Sequence, residues 1–345
     1  MFNPLYTITP RLLERIKRIA TLSADLNRQA VPKKLLVLLE RKAREISAHA
    51  STGIEGNPLS LEAVKALLRT PPRQVRNPER EVLNYNRALD YAHRLIRYPH
   101  PSPLNLKMIL DIHRLVTDHL LIRHRVGRLR KEAVFVNDFR SGQPIFLPPD
   151  WQQVSPLLKD LLHFLQAHRL TLDPLILAGL FHKQFVIIHP FMDGNGRTVR
   201  LITTLLLARM GLNWFTLFSF ERYYHQNVIQ YFHKVGVQGN YDELKDGIDF
   251  TEWLEYFAEG IVNELERIAL ELKQASSSPQ SDLQSYHQAI LDYLRHHDYI
   301  TDRDYGRLTE RAKATRVLDF KKLMGVGLIE RFGQGRATHY RLTNG

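Results

Sequence analysis

At 345 residues, 44% of them hydrophobic and none of them cysteine, the chain is long enough for two domains that bury roughly three-quarters of their extended surface. Disulfides, thiolate nucleophiles and cysteine-ligated zinc are excluded, and the formal net charge of +12 favours anionic partners, whether nucleotides, nucleic acid or acidic proteins. Apolar runs such as Leu175 to Phe181 fall far short of the roughly 20 residues of a membrane span, and Met1 to Pro10 lacks the basic-then-apolar order of an export signal, so no membrane contact and a cytoplasmic location are expected.

In chain order, the apolar spacing is helical almost throughout the first 270 residues. Leu12, Leu13, Ile16 and Ile19 mark one side of a first helix, and Leu35, Leu36, Leu38, Leu39 and Ile46 one side of a second. Taken alone, Ser51 to Asn57 reads as a loop between helices and Glu55 as a solvated charge. Asn77-Pro78 and Asp173-Pro174 each join a capping residue to a proline whose missing N–H would have been unbonded anyway. They predict helices running to about Arg97 and Ile188. Between these, Val134, Val136 and Ile145 predict short strands around the turn from Asn137-Asp138 to Ser141-Gly142. The reading is a β-hairpin on a helical body, with a bare surface loop as the alternative.

A further helix is expected from about Arg197 to Ala208, closed by Gly211. The body ends near Lys273, and Ala275 to Ser281 has the composition of a linker. Beyond it, helices are predicted at about Leu283 to His296, Tyr305 to Glu310 and Ala314 to Met324. Strands at Leu328 to Phe332 and Thr338 to Leu342, joined by Gly333-Gln-Gly335, then complete a winged helix-turn-helix. Residues 301–345 hold ten Lys or Arg against five Asp or Glu. Arg311, Lys313, Arg316, Lys321 and Lys322 crowd the second helix of the motif and the turn before it, with Arg336 at the wing tip. That layout suits DNA phosphates, and it suits a protein-docking or dimerisation module equally.

Most of the chemistry lies in residues 189–200, His-Pro-Phe-Met-Asp-Gly-Asn-Gly-Arg-Thr-Val-Arg. Gly194-Asn195-Gly196 can turn tightly with positive φ, so that successive N–H groups converge on one anion. The helix behind it adds its unpaired N-terminal N–H groups, and residues 194–200, Thr198 and Val199 included, form a candidate diphosphate cradle. Arg197 and Arg200 bring guanidinium forks that hold two phosphate oxygens at once. His189 follows an apolar helix and can accept the proton of a hydroxyl attacking phosphorus. Asp193 suits a magnesium ion that shares phosphate oxygens. By contrast His182, His225 and His233 read as ordinary polar or interfacial histidines.

This segment resembles the signature of the Fic family, histidine-x-phenylalanine-x-acidic-glycine-asparagine-glycine-arginine-x-x-arginine, matched by His189, Phe191, Asp193, Gly194, Asn195, Gly196, Arg197 and Arg200. The resemblance implies a mainly α Fic fold with a β-hairpin flap, here followed by the winged helix-turn-helix. It implies transfer of AMP from ATP to a hydroxyl of a target protein, with release of pyrophosphate. His189 would be the general base, Asp193 the Mg2+ ligand, Asn195 and the glycines the anion hole, Arg197 a triphosphate binder and Phe191 a core anchor. Ser51-Thr-Gly-Ile-Glu55-Gly56-Asn57 resembles the family's inhibitory segment, whose glutamate pairs with the second arginine, here Arg200, and keeps the γ-phosphate of ATP from settling. The hairpin would be the flap that docks a target segment. Tyr231 and Phe232 resemble the aromatic pair beside the nucleoside, Tyr231 being the expected adenine contact.

The expected division is an N-terminal helical region, 1–100, with the inhibitory segment 51–57; a catalytic core, 101–270, with the flap at 131–147; a linker, 271–282; and a winged-helix-like unit, 283–345. A homodimer and DNA contact through the last unit are expected partners alongside the target protein. Removal of AMP from a modified target, or nucleotide sensing by a DNA-binding regulator, are the rival functions.

Overall fold

The computed structural model describes residues 2–29, 31, 33–97, 103–138, 141–208, 211, 215–277, 283–295 and 297–343. The helices that open the chain are α1 (Pro10–Asn27), α2 (Lys33–Ile54), α3 (Leu61–Arg69), α4 (Asn77–Arg97) and α5 (Leu106–Thr117). Side chains of Thr9, Ser60 and Asn105 cap α1, α3 and α5 by accepting first-turn N–H groups. The expected hairpin is present as β1 (Val136–Asn137) antiparallel to β2 (Pro144–Leu147). Its turn at Phe139 and Arg140 lies outside the described residues. One pairing was not anticipated: β2 also runs parallel to β3 (Gly239–Asn240), so the hairpin is tied to the body along one edge and, among the described residues, β1 is the outer strand.

Helices α6 (Trp151–His168), α7 (Pro174–Ile188) and α8 (Asn195–Leu207) follow the hairpin. Then come α9 (Glu221–Gln226), α10 (Val228–Val235), α11 (Tyr241–Leu244), next to β3, and α12 (Thr251–Ser277). Helix α7 is apolar on nearly every side and buried from Leu175 to Ile188 except at Val186, so it forms the centre of the body rather than an amphipathic face. One continuous apolar core runs from Leu12 on α1 to Leu272 on α12 and takes in residues of α2, α3 and α4. Helix α12 continues through Ser277, so the body extends beyond Lys273 and the first residues of the expected linker are helical. Residues 278–282 lie outside the described residues.

A second apolar cluster joins α13 (Ser285–Leu294), α14 (Asp302–Leu308), α15 (Lys313–Gly325), β4 (Ile329–Phe332) and β5 (His339–Leu342). The two strands pair antiparallel from Ile329 with Leu342 to Phe332 with His339, giving three helices followed by a two-stranded ribbon. His296, the expected end of the first of these helices, lies outside the described residues. Val37 and Leu38, near the start of α2, pack against this second cluster.

Candidate active site

The motif occupies the turn between the two most buried helices, which fixes its backbone from both ends. His189 closes α7 in the left-handed conformation, φ 51° and ψ 60°, with its N–H bonded to Phe185 O at 3.0 Å. A left-handed histidine costs energy that the surrounding structure must supply, and Arg130 supplies contacts there. Arg130 Nε donates to His189 O at 2.8 Å, its Nη1 to Glu132 O at 3.1 Å, its backbone N–H to Pro190 O at 2.9 Å, and its Nη2 to the carbonyls of Pro149 and Ile188. One buried guanidinium thus joins the base of the hairpin to the turn that carries the histidine.

The His189 imidazole sits with Nδ1 3.3 Å from Val186 O, so Nδ1–H donates and Nε2 keeps its lone pair. Burial pushes its pKa down to about 4, opposed by the Val186 hydrogen bond. The ring is therefore neutral near pH 7, the form a base requires.

Phe191 is fully buried and stacks on His113 with ring centroids 3.7 Å apart. Asn195 clamps the loop reciprocally: its Oδ1 accepts from Phe191 N and its Nδ2 donates to Phe191 O, both at 2.9 Å. The Asn195 amide is thereby committed to the loop, so this residue offers an anion its backbone N–H rather than the side chain. His113 accepts from Gly127 N at 3.0 Å through Nδ1 and donates through Nε2 to Asp193 O at 3.0 Å.

Gly194 precedes α8 with φ 80°, and a Cβ there would lie 2.8 Å from Thr117 Cγ2, so glycine is required on both counts. Gly196 is helical, contrary to the expected positive φ, and its need is for space. A Cβ there would sit 2.1 Å from Glu55 Oε1 and 2.9 Å from Arg200 Nη1. No side chain caps α8, so the N–H groups of Asn195, Gly196 and Arg197 point out of the helix start with its positive dipole end.

The Thr198 N–H already bonds Gly194 O at 3.0 Å and the Val199 side chain lies wholly in the core. Neither belongs to the cradle as expected, because the second turn of a helix consumes its own donors.

Asp193 has a side chain 54% exposed, with Oδ1 accepting from Gly194 N and lying 3.1 Å from Arg197 Nη2. Among the described residues no three His, Asp or Glu cluster as a self-sufficient metal cage. A single open carboxylate beside a phosphate cradle is the donor set that fits magnesium, which keeps waters and shares phosphate oxygens.

Both arginines are engaged. Arg200 is 0% exposed; its Nε donates to Ser51 Oγ at 2.8 Å, and its Nη2 to Ser51 O at 2.8 Å and to Glu55 Oε1 at 2.7 Å. Among the described residues no hydrogen bond is made by its Nη1 or by Arg197 Nε, and the Tyr231 hydroxyl lies close to the Arg200 guanidinium. Ser51 belongs to the last turn of α2, which runs to Ile54, and Glu55 follows directly, so the segment is a helix end rather than the loop it resembled. Arg197 pairs with Asp193 and with Glu81 on α4. Burial pushes the Glu81 carboxyl above its usual range, opposed by Arg197 and by the Asn57 amide.

Tyr231 does not offer a face to a nucleoside. It is 1% exposed, its hydroxyl meets His182 Nε2 at 2.9 Å, and its ring packs among Tyr224, Phe232 and Trp253. The helical period puts the more exposed side of α10 elsewhere, and Tyr231 is a core residue. His182 is a satisfied core histidine between Thr203 Oγ1 and Tyr231, while His225 packs edge-on against His49 and His233 is exposed.

Arg130, His113 and Glu81 were missed from sequence. Their only signal was a charged or polar type at a position the folded chain buries.

In the C-terminal unit, Arg311 holds both oxygens of Asp319 at 2.8 and 3.1 Å, and Arg316 both of Asp302 at 2.9 Å. These two cations are spent within the unit. Leu318 on α15 is 61% exposed beside Val317, so the outer face of that helix is partly apolar.

The model of the Fic/DOC family matches residues 103–207. The chain is 32% identical over 181 residues to the protein adenylyltransferase fic-1 of Caenorhabditis elegans, an alignment covering 50% of this chain and 34% of that protein. It is 33% identical over 164 residues to the protein adenylyltransferase Fic of Drosophila virilis, covering 47% and 32%. The chain therefore spans about a third of the length of the curated relatives it matches.

Among solved structures, a Fic family protein from Desulfovibrio desulfuricans aligns over 100% of this chain and 99% of its own, with TM-score 0.64 and 23% identity. A C. elegans Fic-1 fragment aligns over 76% and 73%, with TM-score 0.61 and 22% identity. Both likenesses concern the fold, which is mainly α-helical with a small hairpin.

Proposed function

As a member of the Fic-domain family, this chain is, we propose, an autoinhibited protein adenylyltransferase that moves AMP from ATP to a hydroxyl group of a target protein. The observation that carries the reading is the meeting of Ser51 and Glu55 with Arg200, 145 or more residues away in sequence, at the start of an uncapped helix next to a neutral histidine.

In the proposed reaction, His189 Nε2 removes the proton of the target hydroxyl as that oxygen bonds to the α-phosphorus. The bond from that phosphorus to the bridging oxygen breaks, and pyrophosphate departs with the electron pair. The N–H groups of Asn195 to Arg197 face the charge that develops on the phosphoryl oxygens. Arg197 and Arg200 bind the β- and γ-phosphates once their carboxylates release them. Asp193 would hold magnesium, which when bound supplies charge neutralisation at the phosphates. The outer edge of β1 suits a target strand laid alongside, bonded through its backbone.

The test uses ATP labelled at the α-phosphate. Glu55→Gly protein should place label on protein, and adding His189→Ala should lower that labelling by about 10²- to 10⁴-fold while sparing nucleotide affinity. Nucleotide binding with no labelled protein in either case would favour a sensor instead. Removal of AMP is the second reading, since Glu55 reaches the same pocket and could orient a water. It predicts that Glu55→Gly loses release of AMP from a labelled protein.

A salt-sensitive shift of a DNA duplex would add a regulatory role for residues 283–343. Sedimentation at several protein concentrations tests the expected homodimer.

A further inference from the structure

Glu55 is not alone in occupying the arginines of the cradle. Glu81 on α4 turns one carboxylate oxygen, Oε1, to Arg197 Nη1 and receives a hydrogen bond from Asn57 Nδ2 on the other, Oε2, at 2.7 Å. Asn57 ends the turn that carries Glu55: its backbone N–H bonds Thr52 O at 3.1 Å, and its Nδ2 also donates to Pro78 O at 3.0 Å. A ring of contacts therefore runs from Arg200 through Glu55, the turn, Asn57 and Glu81 to Arg197. The two arginines stand three residues apart on α8 and share a face of it.

The charges sharpen the point. Glu55, Glu81 and Asp193 set three carboxylates against two guanidiniums, and both guanidiniums are almost wholly buried while Asp193 stays open to water. A triphosphate must displace carboxylates from both arginines, and a charge repels more strongly where water screens it less. We propose that Glu81 is a second inhibitory residue: it holds Arg197 away from nucleotide phosphate and, through Asn57, pins the turn that aims Glu55 at Arg200. This rests on the adenylyltransferase reading and extends it. A carboxylate that merely oriented Arg197 for phosphate would make the opposite prediction, because removing it would weaken binding.

The experiment measures the dissociation constant of ATP with magnesium by calorimetry for the full chain and its Glu81→Gln, Asn57→Ala, Glu55→Gly and Glu55→Gly/Glu81→Gln variants. It also measures labelled-AMP transfer for each. Thermal melts check folding. Glu81→Gln should tighten ATP binding about tenfold, on the order of one desolvated charge contact, and raise transfer. Asn57→Ala should tighten it about threefold by freeing the turn alone. The double variant should bind about threefold more tightly than Glu55→Gly, because the turn is already free there and only the hold of Glu81 on Arg197 remains to be removed.

Unchanged or weaker binding in Glu81→Gln overturns the proposal, as does equal tightening in both backgrounds, which would mean plain charge removal. If Glu81→Gln does not fold, Asn57→Ala decides, and unchanged ATP affinity there overturns it. Failure of Glu55→Gly to bind ATP or transfer label defeats the adenylyltransferase reading and this proposal together. Activity in Glu55→Gly without tightening by Glu81→Gln defeats only the second.

Discussion

A catalytic base is useful only in its unprotonated form, and here burial supplies that form directly. With its pKa lowered to about 4, His189 should keep kcat/KM of the Glu55→Gly protein flat between about pH 6 and 8, falling only as the pH approaches 4 to 5. A half-maximal rate near pH 7 in the profile would refute this. The residue also needs its backbone held, and Arg130 is the group that does so, through the carbonyls of Ile188 and His189. Arg130→Lys keeps the charge but loses the planar fork. It should lower kcat by about 10²-fold, the scale of an ångström's misplacement, with KM for ATP unchanged. An equal rise in KM would point to general damage.

At the scale of elements, α7 and α8 act as the two jaws that hold the motif turn, and their interface contains a titratable side chain. His182 on α7 is completely buried between Thr203 on α8 and Tyr231 on α10, and burial holds its pKa well below 6.5. The unfolded chain takes up this proton near pH 6.5 and the folded chain only at lower pH, so the stability it carries is present above about 6.5 and is lost on acidification. One proton corresponds to a slope of about 1.4 kcal/mol per pH unit. In urea titrations, the stability gap between wild type and His182→Gln should therefore narrow as the pH falls from 7 to 5. A gap independent of pH would show that the histidine contributes only its packing and hydrogen bonds.

For the whole molecule, the two apolar clusters set two units of different character, bridged by α2. The start of α2 packs Val37 and Leu38 on the C-terminal cluster, while its last turn and the residue after it bring Ser51 and Glu55 to Arg200. Phe320, fully buried in the smaller cluster and stacked on Tyr340 at 4.0 Å, is its natural probe. Phe320→Ala should cost about 3–5 kcal/mol. Hydrogen exchange should then accelerate across residues 285–342 while α7 and α8 stay protected. Simultaneous loss of protection in both units would mean that they unfold as one.

Local chemistry was legible without coordinates because it depends on neighbours in the chain. Proline after the capping Asp173 starts α7, Asn77-Pro78 opens α4 with Asn77 already its first helical residue, and alternating apolar residues mark the hairpin. The twelve residues from His189 to Arg200 carry base, cradle and arginines in one turn. Resemblance alone singled out Glu55, since a carboxylate in a short polar stretch has no local mark of its role.

What the tertiary structure decided lies across long separations, such as the 116 residues between Glu81 and Arg197. It settled that Tyr231 is core, that the Asn195 amide is spent on Phe191, and that Thr198 and Val199 are turned away from the cradle. The reason is physical: a side chain's availability depends on which distant groups have already taken its hydrogen bonds and its space, and only packing assigns those partners.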